Sequence, residues 1–217
     1  MLSLITLDGV SKSYKGQTLF EQVNLTIDEG KAYGIIGPNG SGKSVLFKMI
    51  CGFIFPDQGT ITVQGKEIGK SGRFPDNFGV IIDRPGYLPN KTGYQNLVEL
   101  ASIRGEIGSE DIKKAMSAVG LSDKLTQKVK YYSLGMKQKL ALAQAIMEHP
   151  QVLILDEPFN ALDADSVQTV REILLDFKKA GKTILMTSHH QEDIDAICDD
   201  VYRINNTRIE HVEQINV

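Results

Sequence analysis

Neither sign of charge is in excess in this chain of 217 residues: 24 Lys and Arg stand against 27 Asp and Glu, a formal charge of −3. That balance argues against a nucleic-acid groove covering much of the surface. Cysteine is scarce. Cys51 and Cys198 are the only two, too few for a disulfide framework and not in metal-ligand spacing, so both read as buried thiols in a reducing compartment. No apolar run approaches the roughly 18 residues needed to cross a bilayer. The first residues, MLSLITLDGVSKSY, alternate as a strand does, so no secretion signal is expected. Repeats, low-complexity tracts and Pro/Gly/Ser-rich linkers are missing too, which leaves one sizeable core, or one core with a smaller lobe. The expectation is a soluble cytosolic protein that would need a separate spanning partner for any work at a membrane.

What is present is a phosphate trap. Gly37 to Ser44 read GPNGSGKS, between the apolar run Ala32 to Ile36 and the amphipathic segment Val45 to Ile50. Gly37, Gly40 and Gly42 let successive backbone N–H groups turn inward on an anion. A helix starting near Lys43 adds its unpaired N–H groups. Lys43 is placed on the β- and γ-phosphates of a nucleoside triphosphate and the Ser44 hydroxyl on Mg²⁺. Pro38, Asn39, Ser41 and Val45 complete the stretch around the nucleotide.

Around this loop the first third is strand-rich, with Leu2-Leu4-Thr6, Val23 to Ile27, Gly59 to Val63 and Asn77 to Ile82 as candidates between turn signals. Thr92 to Ile103, Ser109 to Val119 and Ser133 to Glu148 suit helices, with Ser109 as an N-cap and Gly120 just past a helix end. After Pro150 the pattern alternates. Val152 to Leu155 and Thr183 to Met186 suit strands buried on both faces. Between them runs a helix with Val167, Val170, Leu174 and Phe177 on one side and Gly181 at its end; residues 190–198 form another. Val201 to Ile204 and Arg208 to Val212 suit a last strand pair. Alternating strands and helices with a phosphate loop imply a parallel sheet whose ligand chemistry lies at the strands' C-terminal ends.

The strand 152–155 ends in Asp156-Glu157-Pro158. Adjacent carboxylates raise each other's pKa, a cost that Mg²⁺ on a triphosphate removes. Asp156 is read as holding the metal's shell and Glu157 as polarising the attacking water; the bland alternative is a helix cap or a solvated turn. Lysines at 124, 128, 130, 137 and 139 read as a solvated helix surface rather than a polyanion-binding face.

Together these residues resemble the ATP-binding subunit of an ATP-binding-cassette (ABC) transporter over essentially the whole chain. The loop and Asp156-Glu157 match the family's Walker A and Walker B motifs. Tyr132-Ser133-Leu134-Gly135-Met136, followed by Lys137-Gln138-Lys139, is similar to the family signature usually written LSGGQ; Ser133 and Gly135 keep the hydroxyl and the close backbone that a γ-phosphate needs. The YSLGMKQ form resembles bacitracin- and bacteriocin-type exporters. Asn160 to Asp163 resembles the D-loop, with Asp163 aligning two subunits. Thr187-Ser188-His189 resembles the switch region, where strand-end spacing favours His189 over His190. Tyr14 falls where the family stacks an aromatic on adenine. At the family's usual glutamine stands Asp83, which either retains a role by ligating Mg²⁺, directly or through water, or pairs with Arg84.

The resemblance implies an α/β fold: a P-loop NTPase (RecA-like) core, residues 1–83 and 151–217, with an antiparallel β subdomain and an inserted α-helical subdomain, residues 84–150. It implies an ATPase using ATP and Mg²⁺, with Glu157, His189 and Lys43 catalytic. Two copies would close head to tail, most simply as a homodimer, each ATP lying between the loop of one and Ser133 to Met136 of the other. A separate transmembrane permease would dock near Arg84 to Leu88 and hold the chain at the cytoplasmic membrane face, with export as the expected direction. The alternatives are a P-loop kinase and a non-transport ABC-type ATPase.

Overall fold

Strand β1 (Ser3–Tyr14) turns straight back into β2 (Gln17–Asp28) through Lys15 and Gly16. Their φ values of 50° and 80° are the paired positive angles that a two-residue turn needs between right-twisted strands. The computed structural model describes residues 3–68, 74–83 and 86–212. Leu2 of the expected first strand and Arg84, the alternative partner of Asp83, lie outside them.

The hairpin joins β4 (Gln58–Val63) and β5 (Lys66–Glu67) in an antiparallel sheet ordered β2-β1-β4-β5. A second sheet holds β3 (Ala32–Ile36), β6 (Phe78–Ile81), β7 (Val152–Leu155), β8 (Thr183–Met186), β9 (Asp200–Asn205) and β10 (Arg208–Val212). Its order is β10-β9-β3-β8-β7-β6, parallel throughout except for β10. Every residue of β7 and β8 is buried, as expected for strands covered on both faces.

Successive side chains on a strand point to opposite faces, and here the two faces feed two cores. Leu153, Leu155, Ile184 and Met186 pack with Val170 and Leu174 of α5 (Ala164–Lys179) and Ile194 and Ile197 of α6 (Gln191–Ile197). Val152, Ile154 and Leu185 pack on the other side with Leu46, Phe47 and Ile50 of α1 (Lys43–Ile50) and with the antiparallel sheet. Because β3, β7 and β8 are parallel, the loop after β3 and the residues after β7 and β8 emerge at one edge. That edge carries the site.

Between β6 and β7 the chain builds α2 (Gly93–Arg104), α3 (Ser109–Ala118) and α4 (Leu134–Ile146). Thr92 caps α2 in a reciprocal box: its hydroxyl accepts from Gln95 N at 3.1 Å, and the Gln95 side chain accepts from Thr92 N at 2.9 Å. The α3 cap differs from the sequence expectation. Gly108, not Ser109, holds the cap position, because its N–H donates to the Asp111 carboxylate at 3.1 Å. Gly120 lies just past the end of α3 with φ 73°, where a left-handed residue closes the helix.

The helical segment is seated on β6 through Gly79. A Cβ there would lie 2.0 Å from Ala145 O and 2.7 Å from Leu153 Cδ2, with backbone on one side that cannot rotate away. Gly79→Ala is therefore expected to destabilise the protein by about 1–3 kcal/mol or more through overpacking, read as a lower denaturant midpoint. A midpoint equal to the parent's would show that α4 can shift off β6 without cost.

Candidate active site

The loop after β3 curls because Gly42, at φ 104°, occupies a conformation that side chains resist, and a Cβ there would meet Phe20 Cζ at 2.8 Å. Helix α1 then starts at Lys43 with no side-chain cap and no acidic residue in its first turn. Its first N–H groups therefore remain available to an anion. The Lys43 ammonium donates to Gly37 O at 2.7 Å and Pro38 O at 3.2 Å. The lysine thus sits folded over the interior of its own loop, where phosphate oxygens are the natural replacement for those carbonyls.

Opposite the loop, Ser44 Oγ donates to Asp156 Oδ2. The second oxygen of Asp156 accepts from Thr187 Oγ1 at 2.8 Å, and Glu157 N donates to the same threonine oxygen at 2.9 Å. The ends of β7 and β8 are therefore tied together by one buried hydroxyl. Sequence reasoning included Thr187 only as part of the switch string. The available signal was a threonine ending an otherwise apolar strand beside the carboxylate pair. Gln138 of α4, named in the sequence only as part of the string after the signature, supports the site too; its amide donates to Glu157 O at 3.2 Å and Pro158 O at 3.0 Å, fixing the turn that aims Glu157.

Glu157 itself has φ 53°, which turns its side chain into the cleft. His189 N donates to Glu157 Oε2 at 3.2 Å, and His189 Nε2 lies 3.3 Å from Oε1. Oε1 is buried without an aligned hydrogen bond, a carboxylate oxygen free to accept from a bound water. Burial pushes the Glu157 carboxyl above the ordinary carboxylate range; the His189 charge and N–H pull it partway back, against a push from Asp156. A base must be ionised to work. With Glu157 as the base, the acid limb of the kcat/KM profile for ATP hydrolysis, which reports the free enzyme, is therefore expected above the pH of an ordinary glutamate, falling about tenfold per unit below it. A limb at or below the ordinary value would remove Glu157 as the titrating base.

A cleft of about 430 Å³ gathers Tyr14, Asn39, Gly40, Gly42, Lys43, Ser44, Val45, Asp156, Glu157 and His189. Tyr14 is half exposed at its mouth, with the Lys15 ammonium 5.7 Å from its ring centre. His190 is instead the residue before α6 and is not part of this lining. Ser41 Oγ is buried without a partner.

Ser133, Gly135 and Asp163 are not brought to this cleft. Ser133 caps α4, accepting from Met136 N at 3.1 Å. Gly135 lies against the 160–163 segment, where a Cβ would come 2.7 Å from Ala161 O. Asp163 caps α5, accepting from Ser166 N at 2.8 Å; hydrogen bonds from the Ser166 hydroxyl and then its N–H hold the carboxyl below the usual range. A neighbouring cleft of about 370 Å³ is lined by Leu134, Gln138 and Ala161 together with Asp156 and Glu157, with Asp83 on its wall. Asp83, at φ 58°, pairs with Lys48 Nζ of α1 at 2.5 Å, a partner absent from both sequence expectations.

Ser44 and Asp156 offer a hydroxyl and a carboxylate, hard oxygen donors of the kind Mg²⁺ takes. Among the described residues no group of three or more His, Cys, Asp or Glu forms a self-contained metal cage. Two donors suit an ion that completes its shell with water and phosphate oxygens.

A family model described as "ABC transporter" matches residues 20–160. An ABC transporter ATP-binding protein of Bacillus subtilis (strain 168), YybJ, is 41% identical over 212 residues, covering 98% of this chain and 97% of that protein. A bacitracin transport ATP-binding protein of Enterococcus faecalis is 36% identical over 216 residues, covering 99% and 70%. Among solved structures, the ATP-binding cassette MJ0796, as a post-hydrolysis dimer bound to ADP and Pi, superposes with a TM-score of 0.85 at 23% identity, covering 95% of this chain and 97% of that one. That likeness speaks to the fold.

Proposed function

This chain belongs to the ABC transporter family of ATP-binding proteins, and we propose that it drives export through a separate membrane permease by closing and opening a homodimer around two ATP·Mg²⁺. It is an ATPase with the family's α/β P-loop fold. The observation that carries the reading of the site is the convergence of Lys43, Ser44, Asp156, Glu157 and His189 on one cleft at the C-terminal edge of the parallel sheet.

In this reading the loop and Lys43 hold the triphosphate, and Tyr14 stacks on the adenine. Ser44 and Asp156 would hold Mg²⁺, whose charge offsets that of the phosphates. Glu157 accepts a proton from the attacking water, and His189 holds Glu157 and the γ-phosphate in register. Asp83 would join the metal's water shell through the oxygen that Lys48 does not hold, or by releasing Lys48. Ser133 and Gly135 lie outside their own chain's cleft, so their role is assigned to the nucleotide of a second copy, with Asp163 at the same boundary. The γ-phosphate then bridges two surfaces, and its cleavage releases them.

No helix among the described residues is long and apolar enough to cross a membrane, so the spanning part is assigned to the permease and the chain to the cytoplasmic membrane face. The groove near Arg84 to Leu88 is assigned to a short segment of that partner; Arg84 and Pro85 lie outside the described residues, and Leu88 is exposed. Export is preferred because YSLGMKQ resembles the bacitracin- and bacteriocin-type form. Nucleic acid has no place in this reading.

The test is release of free phosphate from ATP and Mg²⁺ with no acceptor present, together with what co-purifies. Phosphate release and a co-purifying membrane protein support it. Phosphate transfer only to an added acceptor would make the chain a kinase, and co-purifying nucleic acid would make it a non-transport ATPase.

A further inference from the structure

One charged pair, buried at its carboxylate and a quarter exposed at its arginine, is left unused by this chemistry. Arg171, midway along α5, donates through Nη2 to Asp193 Oδ1 of α6 at 2.8 Å, and the Asp193 side chain is 4% exposed. The other Asp193 oxygen accepts from Ser188 Oγ at 3.2 Å, and Ser188 Oγ accepts from His190 N at 3.1 Å. Arg171 Nε is buried with no hydrogen-bond partner. An ion pair buried on one side is weak evidence for stability, so a second role is worth testing.

Its position suggests that role. His189 follows two anchored residues: Thr187 is bound to Asp156 and Glu157, and Ser188 is bound to Asp193. Ser188 Oγ also accepts from His190 N, so the backbone is held on both sides of His189. That turn sets His189 N against Glu157 Oε2 at 3.2 Å. The far end of the chain of contacts is α5, which begins at Asp163 in the segment that touches Gly135.

We propose that Arg171, Asp193 and Ser188 are positioning residues that fix the His189 turn against Glu157 and tie that turn to the helix begun by the 160–163 segment. The inference rests on the ATPase reading above. A loosened turn leaves the phosphate loop intact, so nucleotide binding is retained. It displaces Glu157 and His189 relative to the attacking water, and small misplacements of this kind are costly to rate.

Two variants test it in the full-length protein, with ATP affinity, melting temperature and phosphate release all measured. Ser188→Ala is expected to lower kcat about tenfold or more, with ATP affinity held. Arg171→Met with Asp193→Leu is expected to melt at or above the parent temperature while kcat stays low. Recovery of kcat together with melting temperature in the double variant would make the pair structural only and overturn the proposal. If the double variant does not fold, Ser188→Ala decides alone, and a parental kcat there overturns it. A parent protein that releases no phosphate would instead sink the ATPase reading on which the inference rests.

Discussion

Glu157→Gln is expected to release phosphate about 10²- to 10⁴-fold more slowly than the parent, the usual contribution of a positioned general base. Glutamine keeps the shape and the contact with His189 N but cannot accept the water's proton. ATP binding should persist, because Lys43, Ser44 and the loop are untouched. With binding retained and cleavage blocked, the bridging γ-phosphate stays in place, and the variant should accumulate as an ATP-dependent dimer in sedimentation. A monomer that still turns over would refute both the base and the bridge.

The same substitution carries a stability signature of fixed sign. Burial raises the folded-state pKa of Glu157, so its favourable contribution is present below the unfolded pKa and is lost as pH rises through the folded one. Near neutrality the parent must hold a partly buried carboxylate in its ionised form, and glutamine avoids that cost. The variant should melt higher than the parent at neutral pH, and the gap should close in acid. A gap that widens in acid would mean the carboxylate is stabilised by its surroundings and is poorly suited to act as a base.

How far the sequence carried is clearest where one residue type had one physical option. GPNGSGKS between a strand and a helix leaves little but a phosphate loop, and the four-residue apolar runs after Pro150 and Gly181 leave little but buried strands; β7 and β8 occupy the expected residues. Leu2-Leu4-Thr6 and Val23 to Ile27 marked parts of β1 and β2, but the turn that joins the two strands was illegible. It is Lys15-Gly16 rather than a strong turn dipeptide, and register shifts along the pair break the alternation. The site was legible at its named motifs and obscure at its supports. Thr187 and Gln138 act through hydrogen bonds whose partners are distant in sequence. Lys48 reaches Asp83 from α1, a partner distant in sequence. Arg171 and Asp193 each look like solvent-facing charges on amphipathic helices until α5 and α6 pack together.

Ser133→Arg is the second variant with a large expected effect, since it tests whether the site is completed by another copy of the chain. Ser133 is exposed and lies outside its own chain's nucleotide cleft. An arginine there should leave the isolated subunit's ATP affinity within about twofold, because no binding contact is removed, while ATP-dependent dimer formation and hydrolysis fall together. Arginine also removes the cap of α4, worth typically ~1 kcal/mol, so fraying of the helix must be separated from blockage of the interface. Ser133→Asp makes that separation. Aspartate caps as well as serine, which preserves α4, but it turns a carboxylate toward the place assigned to the partner's γ-phosphate, where like charges repel. Both variants should therefore lose closure, the aspartate one with the melting temperature of the parent. Normal dimers from Ser133→Asp would move Ser133 away from the phosphate, and equal loss of monomer binding and closure in Ser133→Arg would place it on its own subunit's nucleotide.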